Sequence, residues 1–179
     1  METWNVIITV HEGYYRQALE ILEPFGTVSK TDFFNVLVLK VAETQKAMAT
    51  FQTIWDEASQ VRKAIARFVP VSYTFSYTNV VEFEKKALKT AFFLTRGLGG
   101  KKFHVRMHRR GFKKRISSLE EETFLDRVLL ESLEKRGAAG SISFTDPDAV
   151  IVIETVGQQA GMALFTREEL ASSPFLHVD

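Results

Sequence analysis

Apolar positions along this chain repeat with two periods, and the switches between them mark an alternation of strands and helices. Trp4 to Val10 (WNVIITV) is rich in β-formers and predicts a first strand. Tyr15, Ala18, Leu19, Leu22 and Phe25 then fall at offsets of three and four, the spacing of one helical face. Gly26 follows and can take the left-handed conformation that ends helices. Phe33 to Val41 predicts a second strand, and a helix from near Thr44 carries Ala47, Phe51, Ile54, Trp55 and Ala58 on one side. From Val69 to Thr78 the chain alternates strictly: Val69, Val71, Tyr73, Phe75 and Tyr77 against Pro70, Ser72, Thr74, Ser76 and Thr78. That is a strand with one buried and one polar face, and Pro70 belongs at an edge or a strand start because it donates no ladder bond. The order is strand, helix, strand, helix, strand, close to a ferredoxin-like sandwich, with room for one weak strand around Gly26–Lys30.

At Asn79 the period changes. Asn79 with Glu82 has the spacing of a capping box, and the helix it opens buries Phe83, Ala87, Ala91 and Phe92 or Leu94 before Gly97. Phe103, Val105 and Met107 alternate with His104, Arg106 and His108, predicting a strand with an apolar and a basic face. Ser118 and Glu121 predict a second capping box, opening a helix with Leu125, Val128, Leu129 and Leu133. After the turn Thr145-Asp146-Pro147-Asp148, the run Ala149 to Ile153 suits a strand covered on both faces. Gly157 predicts a hairpin into Ala160–Phe165, and Thr166 opens a short last helix. Helices and strands alternate, so the fold class is α/β (α+β), with a domain boundary between 78 and 79.

With 179 residues, 45% of them hydrophobic, the chain can bury a core, and no apolar run reaches the roughly 18 residues of a membrane span. Met1-Glu2-Thr3-Trp4 lacks the basic, apolar start of a secretion signal, and cysteine is absent, so a cytoplasmic protein without disulfides or thiolate metal sites is expected. The net charge of +1 conceals a local excess: residues 101–115 hold eight Lys and Arg and no acid.

That segment, KKFHVRMHRRGFKKR, is the main candidate for chemistry, because a polyanion needs several cations within reach and releases counterions on binding. Lys101, Lys102, Arg106, Arg109, Arg110, Lys113, Lys114 and Arg115 supply charge, Gly111 permits close backbone approach, and Phe112 offers a ring to an unpaired base. The alternative is a solvated loop balancing Glu120–Glu122. Catalytic constellations are poor. His104 and His108 would stand about 13 Å apart on a strand, too far for one metal. His11 and Glu12 remain as an acid/base pair for a small-ligand enzyme. No phosphate-loop, dinucleotide, metalloprotease or nucleophile-elbow motif occurs.

FHVRMHRRGFKKRISSLEEE, the helix to Arg136, FTDPDAVIVIETVG and AGMALFTREEL together resemble the THUMP domain of tRNA-modifying enzymes and their partners, over roughly residues 80–170. The first half resembles the ferredoxin-like domain that commonly precedes it. The resemblance implies a ferredoxin-like domain at 1–78 and a THUMP domain at 79–179. It implies tRNA, bound at its acceptor arm, as partner, and the ten residues from Lys101 to Arg115 named above as the contact. Two small domains with no catalytic domain are similar to the adaptor of an RNA cytidine acetyltransferase making 4-acetylcytidine. A non-catalytic adaptor without cofactor or metal is therefore expected. An RNA-binding subunit for another tRNA modification, methylation or thiolation, is the alternative.

Overall fold

The computed structural model describes residues 3–178. The chain divides near Thr74 into two compact units. The first takes in the residues through Thr74 together with Ser173–His177; the second runs from Phe75 to Ser172 and includes Val178.

In the first unit the elements are β1 (Val6–Val10), α1 (Tyr15–Leu22), β2 (Thr27–Lys30), β3 (Val36–Lys40), α2 (Thr44–Glu57), α3 (Ser59–Ala64) and β4 (Ile65–Pro70). The sheet order is β2-β3-β1-β4, and every neighbouring pair is antiparallel. β2 is the weak strand expected around Gly26–Lys30. Gly26 serves a different purpose from the one its position after a helix suggests: a Cβ there would lie 2.1 Å from the Lys40 carbonyl oxygen, so only glycine lets the chain pass β3. α1 buries Ala18 and Leu22, and α2 buries Ala47, Phe51 and Trp55. The core is aromatic. Phe51 stacks on Phe68 with centroids 4.0 Å apart, and Phe175, from the C-terminal segment, meets Phe51 edge-on at 4.9 Å.

The second unit contains α4 (Val80–Leu94), β6 (Lys102–His108), α5 (Ser118–Lys135), β7 (Ser141–Ile142), β8 (Ala149–Val156), β9 (Gln159–Thr166) and α6 (Arg167–Ser172), preceded by β5 (Tyr73–Ser76) at the boundary. Its sheet has the order β5-β9-β8-β6-β7. β8 pairs β9 antiparallel, whereas β6 pairs both β7 and β8 in parallel, so the sheet is mixed. Parallel neighbours need a long crossover, and α5 supplies it between β6 and β7. All eight residues of β8 are buried, as a continuous apolar run predicts for a central strand. α4 and α5 contribute Phe83, Ala87, Ala91, Leu125, Leu129 and Leu133 to one core with Phe103, Val105 and Met107 of β6.

The chain therefore has an α/β fold with one antiparallel and one mixed sheet. Three local readings change. The alternating stretch Val69–Thr78 is two strands, broken at Val71–Ser72 and belonging to different sheets. The helix from Thr44 is followed, after Ala58, by a separate short helix, α3. The cap of α5 is Ser117, whose hydroxyl accepts from Glu120 N–H at 3.4 Å, one residue earlier than Ser118 with Glu121. The Asn79 cap is as expected: its side chain accepts from Glu82 N–H at 2.9 Å, and the Glu82 carboxylate accepts from Thr78 N–H at 2.8 Å.

Candidate nucleic-acid interface

The eight cations of residues 101–115 separate in space. β6 spans six residue rises from Lys102 to His108, about 20 Å. Lys101 and Lys102 stand at its start, and Arg109 to Arg115 lie beyond its end. Lys102 is engaged: its Nζ lies 3.1 Å from Asp146, and its backbone N–H donates to the Asp148 carboxylate at 2.8 Å. Arg167 ties the same two aspartates together, at 2.9 Å from each. The Lys102 hydrogen bond, then Arg167, hold the Asp146 carboxyl below its ordinary range. This network fixes the turn before β8.

The face of β6 expected to be basic is instead largely covered. His104 is buried, its Nδ1 2.8 Å from the Ser143 carbonyl and its ring against Phe144. Arg106 donates to the Val178 carbonyl at 3.0 Å and lies 3.9 Å from Glu122. The apolar face is held by α5. Two acids one turn apart on that helix reach the edge of β6 that two-residue β7 leaves uncovered: Asp126 accepts from Val105 N–H at 2.8 Å and Glu122 from Met107 N–H at 2.7 Å. Burial, and secondarily Glu122, push the Asp126 carboxyl up to about 7, against the pull of the Val105 bond. Burial, then Glu84 and Glu120, push Glu121 up to about 7 as well.

Past β6 the chain turns sharply. Arg110 is fixed at three points: the guanidinium pairs with Glu154 at 2.5 Å, the N–H donates to Thr155 Oγ1 at 2.8 Å, and the carbonyl accepts from Gly157 N–H at 2.9 Å. Glu154 is wholly buried in β8. Arg109 bonds back to the Gly111 carbonyl. Gly111, Phe112 and Lys114 have φ of 98°, 50° and 68°, a left-handed conformation costly for the two non-glycines. The Phe112 ring is half-buried and packs on Tyr77 at 5.1 Å, and the Arg115 guanidinium lies 5.7 Å from its centroid. Tyr77 in turn donates from its hydroxyl to the Gly157 carbonyl at 2.8 Å, and burial raises its pKa. Lys113, Lys114 and Arg115 are exposed at the tip.

Sequence spacing thus located the loop and its exposed cations but missed the acids that organise them. Glu154 carried a usable signal, a lone acid directly after the apolar run Ala149–Ile153 within one strand. Glu122 and Asp126 carried another, flanking the buried Leu125 at helical spacing. Elsewhere, His11 and Glu12 are exposed on the turn after β1. A cavity of about 390 Å³ in the first unit is bordered instead by Lys40, Thr44, Gln45, Ser72 and Thr74. Among the described residues no group of three His, Asp or Glu side chains could hold a metal ion. Among the described residues no helix is long and apolar enough to cross a membrane.

No family model matches the chain, and no curated protein matches it. Solved structures do. PH1313 from Pyrococcus horikoshii Ot3 is 15% identical with a TM-score of 0.61, over 91% of this chain and 54% of that one. TrmN from Thermus thermophilus is 16% identical with a TM-score of 0.62, over 90% of this chain and 45% of that one. A 4-thiouridine synthetase in complex with RNA and bound ATP is 13% identical with a TM-score of 0.56, over 92% of this chain and 42% of that one. The chain spans about half the length of these neighbours. They correct the expectation of a non-catalytic acetyltransferase adaptor. The neighbours named for an activity are a synthetase and, in further matches, methylases; they are not named as adaptors or as acetyltransferases. The premise behind the adaptor, that two small domains leave no room for chemistry, fails because the same fold occurs there as one portion of longer chains. The chain shares its fold with portions of TrmN and of an RNA-bound 4-thiouridine synthetase.

Proposed function

We propose that this chain is the tRNA-binding portion of an RNA-modifying enzyme of the methylation or thiolation class, with the loop Arg109–Arg115 as its principal contact and the acceptor arm as the region bound. The observation that carries the reading is the tip itself: three exposed cations, Lys113, Lys114 and Arg115, on a turn pinned from beneath by Arg110 and Phe112. Clustered cations on a rigid base suit phosphate recognition, because less ordering entropy is lost on binding.

The strand order β2-β3-β1-β4 with antiparallel neighbours supports a ferredoxin-like first domain. The parallel β6-α5-β7 crossover with its closing hairpin supports a THUMP-type second domain. A solved neighbour of the same fold is a synthetase in complex with RNA, which supports RNA as the partner. Lys101, at the far end of β6, is a secondary contact. Lys102, Arg106 and Arg110, each held by an acid, contribute to shape more than to binding.

The test is titration of an unmodified tRNA transcript with the chain over a series of salt concentrations. Three or four phosphates neutralised give a log–log slope near about −3. Absence of binding, or binding indifferent to salt, rejects the reading.

A further inference from the structure

We propose that the turn Gly111–Arg115 is a seat for a single RNA backbone phosphate, and that the buried Arg110–Glu154 ion pair is the positioning element that gives the seat its shape. This rests on the RNA-binding reading and assigns Arg110 a role other than contact.

Glu154 is a carboxylate with no exposure, set directly after a run of valines and isoleucines; it is costly unless paired, and its partner Arg110 has only 16% of its side chain exposed. Replacing such a pair by apolar residues is often neutral or stabilising, so fold stability alone gives little reason for it. What the pair does locally is clear. It fixes the residue immediately before three left-handed conformations, at Gly111, Phe112 and Lys114. Strained residues persist only where the surroundings over-determine them. Here Arg110 is clamped to Glu154, Thr155 and Gly157 on one side of the turn, and Phe112 is wedged on Tyr77 on the other.

The turn closes on itself through one acceptor: Arg115 and Ile116 N–H both donate to the Phe112 carbonyl, at 2.9 and 3.2 Å. The N–H groups of Gly111, Phe112, Lys113 and Lys114 have no acceptor among the described residues. Successive backbone N–H groups in a turn of this kind form an anion-binding concavity. Lys113, Lys114 and Arg115 surround it with exposed charge. A phosphodiester, with two free oxygens and one charge, matches those donors.

Glu154→Gln separates positioning from contact by the sign of its effect. The substitution adds one positive charge and frees Arg110, so direct contact by Arg110 predicts tighter binding to an unmodified tRNA transcript. The positioning role predicts weaker binding, about tenfold, as charge-assisted hydrogen bonds to one phosphate are lost. The salt slope becomes shallower by about 0.7–0.9, the contribution of that phosphate. The double variant Arg110→Met/Glu154→Leu leaves net charge unchanged and removes the risk of an unpaired buried charge; it too binds more weakly, with its melting temperature retained. Wild-type affinity in both variants, or tighter binding by Glu154→Gln, overturns the proposal while leaving RNA binding intact. No binding by the wild type overturns both. Equal competition by poly-glutamate at matched charge would identify an acidic protein segment as the ligand and overturn the phosphate seat.

Discussion

Asp126 on α5 accepts a hydrogen bond of 2.8 Å from the backbone N–H of Val105 on β6, and so completes the edge of a strand whose neighbour β7 is only two residues long. One turn earlier Glu122 does the same for Met107. An uncovered strand edge is a row of unpaired donors, and acids projected from a packed helix satisfy it without another strand.

The Asp126 carboxyl lies at about 7, far above its unfolded value, chiefly because it is buried. The protonated form is therefore the one favoured by folding. Its contribution to stability is full below about pH 4 and is lost as pH rises towards 7. Asp126→Asn keeps the acceptor and removes the buried charge. It should leave the melting temperature at pH 4 nearly unchanged and raise it at pH 8, read by calorimetry. Asp126→Ala leaves Val105 N–H unsatisfied and should cost about 1–3 kcal/mol at both pH values. Equal destabilisation by Asp126→Asn at pH 4 and pH 8 would contradict this assignment.

Gly26→Ala places a methyl carbon 2.1 Å from the Lys40 carbonyl oxygen, backbone against backbone, with no side chain able to yield. A loss of about 2–3 kcal/mol is expected in denaturant unfolding. Gly13→Ala is a useful contrast, because nothing lies within 4 Å of its Cβ position and only backbone strain at φ 83° opposes it. Similar losses from the two would contradict the close approach.

Much of this architecture was legible from periodicity. The stripe of α2 and the apolar run of β8 are as the sequence implies, because amphipathic faces and fully buried strands leave distinct patterns. Period two could not show that Val69 and Phe75 belong to different sheets, since alternation records burial and not pairing partner. β7 was invisible: two residues carry no period. Within the site, closeness in sequence is not closeness in space. Lys102 and Arg109 sit at opposite ends of one strand, and the acids that neutralise Lys102, Arg106 and Arg110 are distant in sequence. Chain length, the ground for the adaptor reading, records nothing about the chemistry of the fold.

The Tyr77 hydroxyl donates to the Gly157 carbonyl, tying β5 to the hairpin that also clamps Arg110. Tyr77→Phe should cost about 1 kcal/mol in unfolding free energy. Faster amide exchange at Gly157 and Arg110 than at the centre of β8 should accompany it. Uniform change across the second unit would instead mean that the hydroxyl has no local role.

If a shaped loop, and not net charge, carries the proposed RNA binding, the salt dependence of tRNA binding separates two variants of equal charge. Lys113→Ala/Lys114→Ala/Arg115→Ala removes the loop tip, and Lys40→Ala/Lys46→Ala/Lys63→Ala removes three exposed cations of the first unit. The loop variant should weaken binding and flatten the log–log slope by about 2–3 units, whereas the control should stay within about half a unit of wild type. Equal slopes in the two variants would contradict a dedicated site at Arg109–Arg115.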